Sequence, residues 1–156
     1  MLQLTPHFTL EEFQTNDPIP KECIGIFGRM AAEILEPVRL TFNVPLVITS
    51  GYRSPEANAA AHGQPNSEHM ATIDWCACDF YPAGIPEVLT VRDVFDWMRI
   101  NPKLPYHQLI LEHGKSGFSV IHVSINTLKQ AVRSVLEGAT HNASPYIKVD
   151  HVEYSV

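Results

Sequence analysis

The sequence predicts a single α+β domain in which helices pack on a small, mainly antiparallel sheet. Segments with helical periodicity alternate with short β-branched runs, and glycines between two of these runs favour a hairpin. The chain has 156 residues, 45% of them hydrophobic, which is enough for one packed core. No repeat, low-complexity tract or linker divides it. We therefore expect one domain over residues 1–156, with residues 139–156 as a C-terminal extension.

Two helices are expected at the start of the chain. Thr9 and Glu12 have the spacing of a capping box, so a short helix should begin at Thr9. After the prolines of residues 18–20, apolar residues recur every three or four positions, which is typical of one long helix packed on the core. Pro37 should bend this helix, and residues 43–45 should end it. Its apolar members are Ile24, Phe27, Met30, Ala31, Ile34, Leu35 and Val38.

The middle of the chain alternates strands and helices. Residues 46–49 are a β-branched run before Gly51, which predicts a buried strand. Ser54 and Pro55 suit the N-cap and first position of an alanine-rich helix that ends at Ala61. A loop should follow over residues 62–67, and then a short strand over residues 77–81.

The second half is expected to contain a helix, a hairpin and a last helix. Thr90 should cap a helix that ends before Pro102, with Val94, Phe95, Trp97 and Met98 as its apolar members. Residues 108–111 and 119–124 should pair as a hairpin through the turn at Gly114 and Gly117. Residues 146–149 are a candidate edge strand. The last helix is predicted from the spacing of Leu128, Ala131, Val132, Val135 and Leu136, before Gly138.

Composition limits the classes of partner and the compartment. Seventeen acidic residues against 11 basic ones give a net charge of -6, so no nucleic-acid partner is expected. Three cysteines are too few for a disulfide framework and favour a reducing compartment. No segment approaches the roughly 20 apolar residues that span a bilayer, and residues 1–17 do not have the pattern of a signal peptide. We therefore expect cytoplasmic synthesis without membrane insertion.

Two histidines and one carboxylate are the residues that suggest chemistry. His69 follows a loop, whereas Asp79 and His122 lie on two predicted strands. Because side chains alternate along strands, neighbouring strands can present the carboxylate and one imidazole on the same face, with His69 above them. Two histidines and a carboxylate can hold a catalytic zinc ion and leave a fourth position for water. Taken singly, any of the eight histidines is more often a surface or hydrogen-bonded residue.

Several segments, in the same order, resemble the zinc D-Ala-D-Ala carboxypeptidases and phage endolysin peptidases, which have the Hedgehog/DD-peptidase fold and cut peptidoglycan stem peptides. This resemblance implies that Zn2+ is the cofactor and that His69, Asp79 and His122 bind it. It also implies action on the cell wall, after release or as part of a virion or phage tail. The segments are residues 7–13, 35–39, 48–54, 58–70, 108–112 and 121–124.

The same resemblance implies the substrate contacts. Arg53 would hold a substrate carbonyl or carboxylate, since a guanidinium can grip a carboxylate through two parallel hydrogen bonds. Its alternative role is to fix the turn by bonding backbone carbonyls. Tyr52 and Ser67 would be further substrate-binding residues. The cleaved bond, D-Ala-D-Ala or L-Ala-D-Glu, stays open.

The chain departs from the family's pattern at two places. Nine residues lie between His69 and Asp79, which is longer than the family's spacing, and Asp74 fits no better. The Ala-Cys-Asp ending at residues 77–79 favours Asp79, with an insertion within residues 71–75. Many members also carry an acid three positions before the final histidine, where this chain has Ser119.

Glu112 is the expected replacement for the missing acid, because it ends the first hairpin strand and a carboxylate can act as a general base. Its alternative is a solvated turn residue. His113 is a less favoured candidate for stabilising an oxyanion.

Three alternative readings of the chain remain. Cys76 and Cys78 could form a structural zinc site with one histidine, which we rank lower, since cysteines in strands are commonly buried. The chain could also be a virion or cell-wall-binding protein that keeps the fold with little catalysis. A zinc-stabilised signalling domain of the Hedgehog type shares only the fold.

Overall fold

Six strands form one sheet in the part of the chain that the computed structural model describes, which is residues 1–85, 89–129, 133–139 and 147–149. Their order across the sheet is β1-β2-β4-β3-β5-β6. Every neighbouring pair is antiparallel except β3 and β5, which are parallel. The predicted mainly antiparallel α+β fold is therefore confirmed. The strands are β1 (Leu46–Ser50), β2 (Trp75–Pro82), β3 (Gln108–His113), β4 (Ser119–Asn126), β5 (Ser134–Ala139) and β6 (Ile147–Lys148).

The helices begin where their caps predict. Ser54 Oγ accepts a hydrogen bond from the Ala57 backbone N–H at 3.1 Å, at the start of the third α-helix. Thr90 Oγ1 accepts one from the Asp93 N–H at 3.2 Å, at the start of the fourth. Within the described residues, every helix is too short or too polar to cross a bilayer. The α-helices are α1 (Ile24–Met30), α2 (Glu36–Phe42), α3 (Pro55–Ala60) and α4 (Val91–Ile100), and 3-10 turns occupy Leu10–Phe13 and Lys21–Cys23.

The predicted long helix is continuous but changes its geometry in the middle. A π turn, Ala31–Leu35, joins α1 to α2. Pro37 follows this turn and has no N–H to bond to the carbonyl of Glu33, so the wider turn lies where the regular α-helical bonding is interrupted. Asn43 adopts a left-handed conformation with φ 52°, which ends α2.

The two faces of the sheet have different compositions because side chains alternate along each strand. One face packs on the helices and is fully apolar at its centre. The other face carries the polar residues of the candidate site. The central side chains of the core face, all at most 1% exposed, are Cys76, Cys78, Phe80, Leu109, Leu111, Ile121, Val123 and Ile125.

Two predicted elements differ from the structure. Residues 134–139 form strand β5, parallel to β3, and not the C-terminal part of a helix. Ala131 and Val132, which contributed to that prediction, lie outside the described residues. β1 is an edge strand with Val47 and Thr49 exposed, so the prediction of a buried strand was wrong. At the opposite edge, β6 pairs with β5 within the segment predicted as an edge strand, of which Tyr146 is not described.

Candidate metal centre

The fold brings His69, Asp79 and His122 together on the polar face of the sheet. Asp79 on β2 lies directly opposite His122 on β4, so the two side chains leave the sheet on the same face. His69 reaches them from the loop that follows α3. Each of the three residues is at most 8% exposed. One potential ligand atom from each residue lies within 4.8 Å of the other two, and no other such group of three occurs in the described part of the chain.

Both imidazoles are oriented by a second contact. His69 Nε2 is 3.3 Å from Asp79 Oδ1, and its Nδ1 is 2.7 Å from the Gly51 carbonyl oxygen. His122 Nδ1 is 2.8 Å from the same Asp79 oxygen, and its Nε2 is 3.4 Å from Gln108 Oε1. One nitrogen of each ring can therefore donate to an oxygen while the other faces Asp79. This is the arrangement of metal-binding histidines, whose second nitrogen fixes the tautomer.

The charges of the group favour an ionised carboxylate. Burial alone would raise the pKa of Asp79, but the charge of His69 and the hydrogen bonds with both histidines hold this pKa well below its ordinary value. Burial alone would lower the pKa of His122, whereas the bond to Asp79 raises it overall. A ring nitrogen and an ionised carboxylate oxygen repel each other unless a proton or a metal cation lies between them. A deprotonated carboxylate with two imidazoles is a suitable ligand set for a metal cation.

Arg53 supports the group and also lines its cleft. Its backbone N–H donates to the His69 carbonyl at 3.0 Å. Its guanidinium donates to Ser50 Oγ through Nε at 3.1 Å and Nη2 at 2.9 Å, and Nη2 lies 3.6 Å from Asp79 Oδ2. The guanidinium thus contacts a hydroxyl and a carboxylate, whereas the alternative considered from the sequence was a bond to backbone carbonyls. With 19% of its side chain exposed, Arg53 can still meet a ligand in the cleft.

A cleft of about 740 Å³ opens over the three residues. Arg53 and Ser67, both predicted as substrate-binding residues, line it. Tyr52 is 8% exposed and packs in the hydrophobic core, so its position does not support the predicted contact with substrate. The remaining polar residues that line the cleft are Thr49, His62, Gln64, Asn66, Glu68, Gln108 and Glu112.

Glu112 lies on the same face of the sheet as the three residues. Ile110 is opposite His122 in the β3–β4 pairing, and Glu112 is two positions further along β3. Two positions along a strand return to the same face. Glu112 is half-buried, lines the cleft, and its charge contributes to raising the pKa of His122. Its position therefore allows the role of general base that the sequence suggested.

Ser119 and His113 lie on the opposite face. Ser119 precedes His122 by three positions on β4, and an odd separation reverses the direction of a side chain. Its Oγ is 3.0 Å from His113 Nδ1, and His113 Nε2 is 2.8 Å from Glu137 Oε1. The position of His113 thus gives no support to an oxyanion role.

The remaining residues proposed from the sequence, Asp74, Cys76 and Cys78, make their contacts away from the group of three. Asp74 accepts hydrogen bonds from Thr127 through its backbone oxygen at 2.8 Å and Oδ1 at 3.1 Å, and it is not part of the group of three. Cys76 and Cys78 are fully buried on the core face, where Cys76 Sγ is 3.6 Å from the Ile26 carbonyl oxygen. The sheet therefore separates both sulfurs from His69 and His122, which argues against a shared zinc site.

A buried network beside the group was not found from the sequence. Glu68 is 8% exposed, and its carboxylate accepts hydrogen bonds from His107 Nδ1 at 2.9 and 3.0 Å and from the Asn126 amide. Ser124 also acts on this carboxylate and helps to lower its pKa. Burial would raise the pKa of Glu68, but these bonds lower it overall. The bonded residues are 39 or more positions away in sequence, so only its place next to His69 could have drawn attention to Glu68.

Comparison with known proteins identifies the family. The family described as Peptidase M15 matches residues 6–108, a segment that contains His69 and Asp79 and ends before His122. A search of curated proteins finds no match. The resemblance seen in the sequence is confirmed by the family match. Since this match covers more than half of the 156 residues, the chain belongs to the Peptidase M15 family.

Proposed function

We propose that the protein is a zinc-dependent metallopeptidase that hydrolyses peptide bonds of peptidoglycan stem peptides. One observation carries this proposal: the ligand atoms of His69, Asp79 and His122 converge within 4.8 Å at the floor of an open cleft. Membership of the Peptidase M15 family supports the reaction class. The peptide substrate and its place in the cell wall come from the resemblance of the sequence to peptidoglycan peptidases.

The ligand set fits zinc better than it fits a hard cation. Zinc accepts imidazole nitrogen and carboxylate oxygen, and catalytic sites commonly have three protein ligands. Calcium and magnesium prefer oxygen ligands alone. The chemistry that zinc supplies in such a site is polarisation of a carbonyl and generation of a nucleophilic water near neutral pH.

The residues around the ligands have separate roles in hydrolysis. Glu112 accepts a proton from the attacking water and returns it to the departing amine, as a general base and then a general acid. Arg53 orients the substrate by donating to a carbonyl or carboxylate oxygen. Its contact with Asp79 also holds that carboxylate in place.

The two candidate bonds place different demands on the cleft. A carboxypeptidase must bind a free terminal carboxylate next to the scissile bond, whereas an endopeptidase needs no such contact. Arg53 is the only lysine or arginine that lines the cleft in the described ranges. Cleavage of a D-Ala-D-Ala peptide should therefore depend on Arg53 more strongly than cleavage at an internal bond.

The test is hydrolysis of purified muropeptides, followed by mass spectrometry. We expect cleavage that a chelator abolishes and added zinc restores, and that is lost in His122→Ala. Glu33→Gln, a change at a half-exposed residue paired with Arg29, is the control and should cleave normally. If the wild-type protein binds zinc but cleaves none of the muropeptides, the proposal fails, and the alternative of a virion or cell-wall-binding protein is favoured.

A further inference from the structure

We propose that Glu68 is a positioning residue of the metal centre, whose buried carboxylate holds the loop that carries His69 against the strand that carries His122. This inference rests on the zinc site proposed above. The hydrogen bonds of the Glu68 side chain go to residues other than the three ligands, so the inference goes beyond the role of the ligands themselves.

The contacts of Glu68 join separate elements. His107, just before β3, donates to both carboxylate oxygens at 2.9 and 3.0 Å, and the amide of Asn126 at the end of β4 donates to Oε1. Ser124 on β4 also acts on this carboxylate by lowering its pKa. All four residues are at most 8% exposed. The loop after α3 is thus bonded to β4 and to the residue that precedes β3, through side chains that are largely buried.

The residues that make these contacts are neighbours of two of the ligands, His69 and His122. Glu68 is adjacent to His69 in the chain. Ser124 and Asn126 follow His122 on β4 by two and four positions, so all three side chains share one face. The distance between the two imidazoles therefore depends on how closely Glu68 docks on β4.

A second connection passes through Gln108. The Ser124 hydroxyl accepts a hydrogen bond from the Gln108 backbone N–H at 3.0 Å, and Gln108 Oε1 lies 3.4 Å from His122 Nε2. A shift of Ser124 would therefore also move the group that orients the His122 ring. Groups that orient metal ligands without binding the metal commonly affect metal affinity.

Position 68 requires a carboxylate, and a neutral polar side chain would not satisfy the same partners. The groups around it donate, and Asn126 must present its NH2 because its Oδ1 accepts from the Leu128 N–H at 3.1 Å. An ionised carboxylate offers only acceptors. A glutamine would turn an NH2 towards one of these donors and leave buried polar groups without partners.

The experiment measures zinc affinity in Glu68→Gln by competition with a chromophoric chelator. We expect the affinity to fall by about 10- to 100-fold, as for other changes to groups that orient metal ligands. The visible spectrum of the cobalt(II)-substituted protein should change as well, because it reports the geometry of the ligands. A loss of stability alone would alter neither measurement in the folded protein.

Glu36→Gln is the matched control. Glu36 is also 8% exposed and also bonds a histidine, with His7 Nδ1 2.9 Å from its Oε2, but it lies on α2 and does not line the cleft. We expect this variant to have a lower melting temperature, an unchanged zinc affinity and an unchanged cobalt spectrum.

The outcomes separate the two proposals. If wild-type protein binds no zinc, the zinc site itself is wrong. If wild type binds zinc and Glu68→Gln has the same affinity and the same cobalt spectrum, only the role of Glu68 is overturned. If Glu68→Gln does not fold, zinc affinity is measured in Asn126→Ala, which removes one donor and keeps the carboxylate. An unchanged affinity in Asn126→Ala would then overturn the inference, and a weaker affinity would support it.

Discussion

Glu112 lies on the cleft side of the sheet because β3 pairs with β4. Its separation from His122 in the sequence does not determine this position. An acid at position 119 would leave the sheet on the face opposite to His122, because the separation of three is odd and Ser119 lies within the regular part of β4. A carboxylate on β3, two positions from the residue opposite His122, lies on the correct face. The serine at position 119 therefore does not by itself deprive the cleft of a base.

Replacing Glu112 by glutamine should impair catalysis without loss of the metal. We expect kcat to fall by about 10²- to 10⁴-fold, the usual contribution of a general base. Zinc affinity should be retained, because Glu112 is not one of the three converging residues. Steady-state hydrolysis of muropeptides and a parallel zinc titration measure the two effects. A variant with wild-type kcat would show that another group takes the proton.

At the level of residues, the sequence predicted the candidate residues that lie in short recognisable segments. The structure brings His69, Asp79 and His122 together, and Arg53 lies 3.6 Å from Asp79. The place of Tyr52 could not be predicted, because the direction of a side chain in a turn depends on what packs against it. The partners of Glu68 are distant in sequence, so no local pattern indicates them.

The turn after β1 links two elements to the candidate metal centre through Gly51. Its carbonyl oxygen lies 2.7 Å from His69 Nδ1. Its α-carbon passes so close to the Leu10–Phe13 turn that an added Cβ would lie 2.1 Å from the Phe13 carbonyl oxygen. The absence of a side chain therefore allows the N-terminal turn, the end of β1 and the His69 loop to meet.

Gly51→Ala and Gly28→Ala should change stability in opposite directions. At Gly51 the new methyl group would collide with backbone, and we expect a loss of about 1–3 kcal/mol in the free energy of unfolding, as for other overpacked sites. Gly28 lies in α1 with no heavy atom within 4 Å of an added Cβ, so its replacement should stabilise by about 0.5–1 kcal/mol. Urea unfolding measures both. Equal stability of Gly51→Ala and wild type would mean that the turn can move away from Phe13.

At the level of elements, helix caps and hairpin turns were predictable because they depend on neighbouring residues. Ser54 and Thr90 cap their helices as their sequences indicate, and β3 and β4 form the expected hairpin. Strand β5 was mistaken for a helix because its apolar residues also fit a helical spacing. What makes it a strand is its parallel pairing with β3, a long-range contact that no local pattern contains.

Over the whole molecule, the sheet separates the apolar core on its helix side from the polar face that carries the cleft. The registers of β2, β3 and β4 place apolar side chains on one face and the site residues on the other. A slip of one residue in the β2–β4 register would turn Asp79 into the core and Cys78 towards the cleft. The site is therefore specified by the same pairing that builds the core.

The thiols of Cys23, Cys76 and Cys78 are all buried, and burial raises the pKa of each. Because alkylating reagents attack the exposed thiolate, we expect iodoacetamide to modify the native protein only as fast as the chain opens. Mass spectrometry of a time course should show Cys76 and Cys78 labelled together, and labelling should slow on addition of zinc if the ion binds only the folded chain. Rapid labelling of either thiol in native buffer would contradict this. Alkylation of the buried cysteines would thus report the rate of unfolding of the unmodified protein, with no dye or engineered reporter required.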